Sequence, residues 1–229
     1  MKYLFSILLA FSSLYSSDAK YEMGKEIYKT TCISCHGVDG TSNTEMKLVV
    51  KPRALSKTIL TEEQSYKTIK KGAHYWGASA DMMPSFDSIY SESELRSIAH
   101  YISKKFNLNV EKKIDDLYAQ SDVIPEAKKS KMMKRGKKIY KRNCSWCHGT
   151  EAKGDGEASR NPELSIFPYD LTKTLLDEKQ MFLYVKYGGQ FWGTHKEDMP
   201  GWARKYDDYT IKSIVKYMEE TFRKENANK

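Results

Sequence analysis

The chain has little cysteine, no apolar run of membrane-spanning length and no alternating stretch long enough to argue a β-sheet. Its four cysteines, among 229 residues, all fall within two short motifs, which leaves none for separate structural disulfides or an independent thiol site. The one candidate for a membrane segment, Tyr3 to Leu14, is broken by serines and falls well short of the ~20 apolar residues that cross a bilayer. Met1-Lys2 gives it a short basic start, and Ser17-Asp18-Ala19 offers a small-x-small cleavage site. Residues 1–19 therefore read as a secretory signal, and the mature chain is expected in the periplasm. Length then allows two domains of roughly a hundred residues each. Only 40% of residues are hydrophobic and mean hydropathy is −0.67, which is thin for two cores that small.

What the chain does have is a repeated motif. Cys32-Ile33-Ser34-Cys35-His36 and Cys144-Ser145-Trp146-Cys147-His148 each match the C-x-x-C-H signature of c-type haem attachment. Two thiols about one helical turn apart can each form a thioether to one porphyrin, while the adjacent histidine swings beneath it to bind iron. A pair of disulfides or a thioredoxin-like C-x-x-C would suit the same oxidising compartment, but neither needs a histidine after the second cysteine, twice. A zinc site made from the paired units is the other rival on spacing alone. Two haem c groups would also supply the apolar interior that the composition withholds.

The repeat extends far beyond the motifs. Met23-Gly24-Lys25-Glu26-Ile27-Tyr28-Lys29 parallels Arg135-Gly136-Lys137-Lys138-Ile139-Tyr140-Lys141, 112 residues on. After the motifs the offset becomes 116, pairing Pro52, Leu55, Lys57 and Thr58 with Pro168, Leu171, Lys173 and Thr174. Gly72, Trp76, Gly77 and Met83-Pro84 pair with Gly188, Trp192, Gly193 and Met199-Pro200 at the same spacing. The four extra residues fall in the polar stretch Lys153 to Asn161, where a surface loop tolerates insertion. Both copies read as helical. Thr61 with Gln64, Asp177 with Gln180, and Ser91 with Glu94 have the spacing of capping boxes, and Gly72 and Gly188 sit where a helix ends in glycine. Leu95, Ile98, Ala99 and Ile102 form one apolar stripe, and Ile211, Ile214, Val215 and Met218 form its counterpart. Residues 108–125 match neither copy and read as a linker between domains at 20–107 and 126–229, with a turn of helix within Ile114 to Ala119.

On these residues the chain resembles the class I c-type cytochromes, and in particular tandem dihaem cytochromes made of two fused domains. The resemblance implies an all-α fold, each domain a small helical bundle around one covalently attached haem. It implies that Gly24 and Tyr28 pack on the helix bearing Tyr101, and Gly136 and Tyr140 on the helix bearing Tyr217. Cys32, Cys35, Cys144 and Cys147 would carry the thioethers, with His36 and His148 as proximal iron ligands. Met83 and Met199 are the implied sixth ligands, since a methionine thioether raises the potential where an open position would permit ligand chemistry. Met82 competes in the first half, and alignment with Asp198-Met199-Pro200 selects the methionine before proline. In the family the carbonyl of the residue equivalent to Pro52 and Pro168 accepts a hydrogen bond from the axial imidazole. Arg53, Trp76, Tyr169 and Trp192 are candidate donors to haem propionates. His74 and His195 align with Gln190 and Ser79, are not repeated, and read as polar loop residues. His100 reads as structural.

Formal net charge is +8, and removing residues 1–19 leaves it there because Lys2 and Asp18 cancel. Nine of the residues from Glu126 to Arg142 are Lys or Arg. This 126–142 face is either an ordinary solvated surface or a docking surface for an acidic redox partner. A peripheral contact with an anionic membrane is the other use of such charge, and no nucleic-acid partner is expected of an exported haem protein. The leading expectation is a dihaem electron carrier that passes electrons between a donor and an acceptor protein and is not itself an enzyme. The alternative is the electron-transfer subunit of a larger oxidoreductase or terminal oxidase. A dihaem peroxidase or gas sensor would need an open sixth position, which two Met-Pro units argue against.

Overall fold

The computed structural model describes residues 17–46, 51–78, 83–121, 129–161, 163, 168–194 and 199–223. Most of the expected signal, Met82, His195, and residues 122–128 of the expected linker and basic stretch lie outside the described residues. Those described residues form helices and tight turns without a strand, as the pattern of caps and apolar stripes requires. Helix α1 covers 17–27 and runs on through a wider π turn, Tyr28–Cys32, into the short helix Ile33–His36. Its equivalent in the second half is α5, Lys129–Asn143, followed by Ser145–His148. Between them lie α2, Glu62–Lys71, α3, Glu92–Phe106, and α4, Val110–Ala119. The chain closes with α6, Glu178–Tyr187, and α7, Asp208–Met218.

The predicted caps are formed. Thr61, Ser91 and Asp177 each accept from the backbone N–H three residues on, while Gln64, Glu94 and Gln180 reach back to the cap N–H. The predicted helix crossings are formed too. A Cβ on Gly24 would run into the Ser97 carbonyl on α3, and one on Gly136 into the Ser213 carbonyl on α7. Glycine is what lets these backbones touch. Around the crossings, Tyr28, Tyr66, Leu95, Ile98 and Tyr101 make the first core. Tyr140, Phe182, Leu183, Trp192, Ile211 and Ile214 make the second.

The segment 108–125, expected as a linker, carries the ten-residue helix α4. Val110 and Ile114 are buried in the second core, and the Tyr118 ring meets Phe182 edge-on at 5.3 Å. Its apolar residues stand three and four apart, which is helical spacing; a search for repeats passes over it because it has no second copy.

The halves meet in a seam whose contacts recur with the partners exchanged. Ala54 N–H donates to the Gly193 carbonyl at 2.9 Å, and Asp170 N–H donates to the Gly77 carbonyl at 2.8 Å. Gln64 Nε2 donates to the Leu175 carbonyl and Gln180 Nε2 to the Ile59 carbonyl, both at 2.8 Å. The two amides also bond each other reciprocally at 2.7 Å. Each contact becomes its mate when every position is exchanged for its counterpart 116 residues away, so the seam is isologous, with a pseudo-two-fold axis inside one chain. Gly77 and Gly193 are left-handed, at φ 95° and 88°, and a Cβ on Gly77 would strike the Asp170 carbonyl. Turn conformation and close approach both demand glycine there.

Candidate functional site

Each C-x-x-C-H unit sits where its leading helix loosens and turns. The hydroxyl of Tyr28 donates to the Gly37 carbonyl at 2.6 Å, and that of Tyr140 to the Gly149 carbonyl at 2.9 Å. A buried tyrosine on the leading helix therefore pins the residue just after each histidine. Packing fixes the tyrosines in turn, with Tyr28 5.3 Å from Tyr101 and Tyr140 5.7 Å from Tyr217, ring to ring. These are the pairings the resemblance implied.

The four thiols are free. Burial pushes Cys32 and Cys144 up to about 12 and raises Cys147 as well. Among the described residues, no three of His, Cys, Asp and Glu converge as metal ligands. The two motifs stay apart, one in each half, which does not suit a zinc site built from both.

Burial, which disfavours the imidazolium, pulls His36 down to about 4 and lowers His148 also. Nδ1 of His148 lies 3.1 Å from the Tyr169 carbonyl. A carbonyl can only accept, so Nδ1 carries the proton and Nε2 keeps its lone pair, the state an axial ligand needs. The family pattern placed this acceptor on Pro168; here it is one residue later, and the Pro168 carbonyl lies against Gly154 instead. The first half is looser. The Arg53 carbonyl, at the position equivalent to Tyr169, interacts with His36 in the same sense, yet the buried Nδ1 closes no hydrogen bond of standard geometry.

Met83 packs on the first core together with Cys32 and Leu55, and Met199 on the second together with Cys144 and Leu171. Their loops are held by the preceding helix ends. Ala73 N–H donates to the Met83 carbonyl at 2.9 Å, and Gly189 N–H to the Met199 carbonyl at 2.8 Å. Gly72 and Gly188 lie so close to these Met-Pro segments that a Cβ on either would crowd the methionine carbonyl.

The other candidates have local duties. The indole N–H of Trp76 bonds the Lys67 carbonyl at 3.1 Å, and that of Trp192 the Leu183 carbonyl at 3.3 Å. An indole has one donor, so neither tryptophan has an N–H left for a propionate. His74 Nδ1 faces the Ala78 carbonyl at 3.0 Å, and His100 Nδ1 faces Glu62 at 3.0 Å. Sequence reasoning missed the seam role of Gln64 and Gln180, although their offset of 116 was in view. It also passed over Met46, whose sulfur lies 3.6 Å from that of Cys35.

The residues present suit haem c: unpaired thiols, neutral imidazoles, and small-residue contacts that bring a methionine loop against each core. Comparison with known proteins gives the family. Residues 19–102 and 131–218 match the model described as cytochrome c oxidase, cbb3-type, subunit III. The chain belongs to this family. It is thus an electron-transfer protein of the cytochrome c kind with covalently bound haem c. Among curated relatives, it is 25% identical over 202 residues to the cbb3-type cytochrome c oxidase subunit CcoP of Azospirillum brasilense. That alignment covers 85% of this chain and 60% of the relative, so the chain spans less than two thirds of that protein's length. Among solved structures, a chain of the Kuenenia stuttgartiensis reducing HAO-like protein complex is 23% identical, with a TM-score of 0.46, over 88% of this chain and 96% of the other.

Proposed function

We propose that the protein carries two haem c groups, one in each half, and relays electrons between a donor and an acceptor protein in the periplasm without catalysing a reaction of its own. The observation that carries this reading is the duplicated site. Each half has its own C-x-x-C-H unit, its own buried neutral imidazole, and its own methionine loop fastened beneath a helix end. When bound, haem c supplies a one-electron ferric/ferrous couple tuned by its axial ligands. Cys32 and Cys35, and Cys144 and Cys147, would hold the groups; His36 and His148 would bind from one side, and Met83 and Met199 from the other. With Met83 and Met199 as sixth ligands, neither haem would have an open position for peroxide or gas chemistry. The test is the absorption spectrum of the oxidised protein. Met83→Ala and Met199→Ala should each remove half of the methionine-to-iron charge-transfer band, and an undiminished band in either would reassign that ligand, Met82 being the next candidate in the first half.

The family and the CcoP relative favour a second reading, in which this electron relay works within a larger oxidase or oxidoreductase assembly. Among the described residues no helix is long and apolar enough to cross a membrane. The α5 surface supports one docking mode. Lys131, Lys134, Lys137, Lys138 and Lys141 are exposed along it, and it ends beside Trp146, 53% exposed between the two cysteines of the second motif. The first motif has Ser34 at that position. A cationic face with one aromatic next to a redox site fits an acidic protein partner.

A further inference from the structure

One cation stands in the seam. The Arg53 guanidinium lies 4.9 Å from the centroid of the Tyr169 ring and 5.2 Å from that of Tyr184, both in the other half. It also takes the hydroxyls of both tyrosines as hydrogen-bond partners. Arg53 and Tyr169 are equivalent positions, separated by 116, so on the pseudo-two-fold axis each faces its own counterpart, as Gln64 faces Gln180. The repeat placed an arginine at one and a tyrosine at the other, and a planar guanidinium stacks on an aromatic face where two arginines would repel. The same two residues carry the carbonyls that the axial imidazoles face, Arg53 for His36 and Tyr169 for His148. Arg53 therefore links the segment behind His36, through its backbone and side chain and across the seam, to Tyr169, whose carbonyl is bonded to the His148 imidazole; at the His36 end the Arg53 carbonyl is in reach of the imidazole but closes no hydrogen bond of standard geometry.

We propose that Arg53 is a positioning residue shared by both redox sites. It fixes one positive charge between them, and through its contact with Tyr169 it couples the segment behind His36 to the segment behind His148. The inference rests on the two-haem reading. A guanidinium stays charged at any working pH, and at a half-buried seam its field is screened less than at an exposed surface. Positive charge favours the state with one more electron, so Arg53 raises both potentials. Its stacking on Tyr169 holds the segments in register for exchange between the sites. With both haems bound, that exchange would move one electron from the reduced centre to the oxidised one, with no bond made or broken and no proton moved.

The test is a redox titration of the full haem-loaded protein, paired with the rate of electron exchange between the sites after photoreduction. In Arg53→Gln both midpoint potentials should shift downward and exchange should slow. Arg53→Lys, which returns the charge without the planar fork, should restore the potentials and leave exchange slow. A shift confined to one potential, or none, would overturn the proposal, since Arg53 would then serve its own half or neither. If Arg53→Gln does not fold, Arg53→Lys decides alone, because exchange at the unaltered rate contradicts the coupling. The unaltered protein separates the two levels of the argument. One redox centre overturns the two-haem reading, whereas two centres indifferent to Arg53 overturn only this inference.

Discussion

Tyr140 and Gly136 lie one turn apart on α5 and do opposite jobs, one by what it adds and the other by what it omits. Tyr140 is fully buried, and its hydroxyl is bonded to the Gly149 carbonyl next to His148. Tyr140→Phe keeps the ring and removes one of two donors to that carbonyl, which also accepts from the Ala152 N–H at 3.3 Å, so denaturant unfolding should register a loss of about 0.5–1.5 kcal/mol. Tyr28→Phe should do the same in the first half through Gly37. Gly136→Ala sets two effects against each other. Alanine gains about 1 kcal/mol of helix propensity, but its Cβ would strike the Ser213 carbonyl and the Tyr217 Cβ, and overpacking of that kind costs about 1–3 kcal/mol. The backbone of α7 is the part that cannot yield, so the clash should win and the variant should melt lower. A higher melting temperature would show that the helices do not cross there.

At the scale of elements, the N-caps carry both stability and its pH dependence. Asp207 accepts from the Thr210 N–H at 2.8 Å at the start of α7. The Thr210 hydroxyl, and then that N–H, hold its carboxyl below the usual aspartate value of 3.8. A depressed carboxylate contributes stability above its unfolded value and loses it as pH falls through the folded one. Asp207→Ala should therefore cost about 1 kcal/mol at neutral pH, and the gap to the unaltered protein should close below pH 3.8; a constant gap would mean the cap is not electrostatic. Gln64 and Gln180 are caps with a second duty. Each amide oxygen accepts from its cap N–H and from the other glutamine, while each amide nitrogen donates to that glutamine and to a carbonyl across the seam. Gln180→Glu preserves the capping box but removes the donor and buries a carboxylate. Unfolding should register a loss of about 1–3 kcal/mol, and an unchanged melting curve would remove the pair from the seam. The capping half of this arrangement was legible in the sequence, because S/T/D-x-x-Q spacing is local. The other half was not, because it requires knowing that two equivalent helices meet. The same distinction explains α4, whose apolar spacing acquires meaning only against α6, and the acceptor at Tyr169, which depends on loop geometry rather than residue type. The packing of Gly24 and Tyr28, and of Gly136 and Tyr140, on the closing helices was legible through the family resemblance, whereas the hydroxyl bonds to the Gly37 and Gly149 carbonyls depend on where each motif turns.

For the whole molecule, two duplicated sites are joined by an internal two-fold, and one cationic helix breaks the symmetry. If that helix receives an acidic partner, reduction by an anionic donor such as Fe(II)-EDTA should slow as ionic strength rises. Replacing Lys134, Lys138 and Lys141 together by Glu should reduce the low-salt rate by roughly ten-fold or more and flatten its salt dependence. An unchanged rate would make the face an ordinary solvated surface. The central claim is more basic, namely that each half independently holds a haem. Haem counted per chain by pyridine haemochrome, alongside the intact mass of the purified protein, tests it most directly. The unaltered chain should carry two, and the paired changes Cys32→Ser with Cys35→Ser, or Cys144→Ser with Cys147→Ser, should each leave one; a single haem in the unaltered protein, or none, would contradict the account.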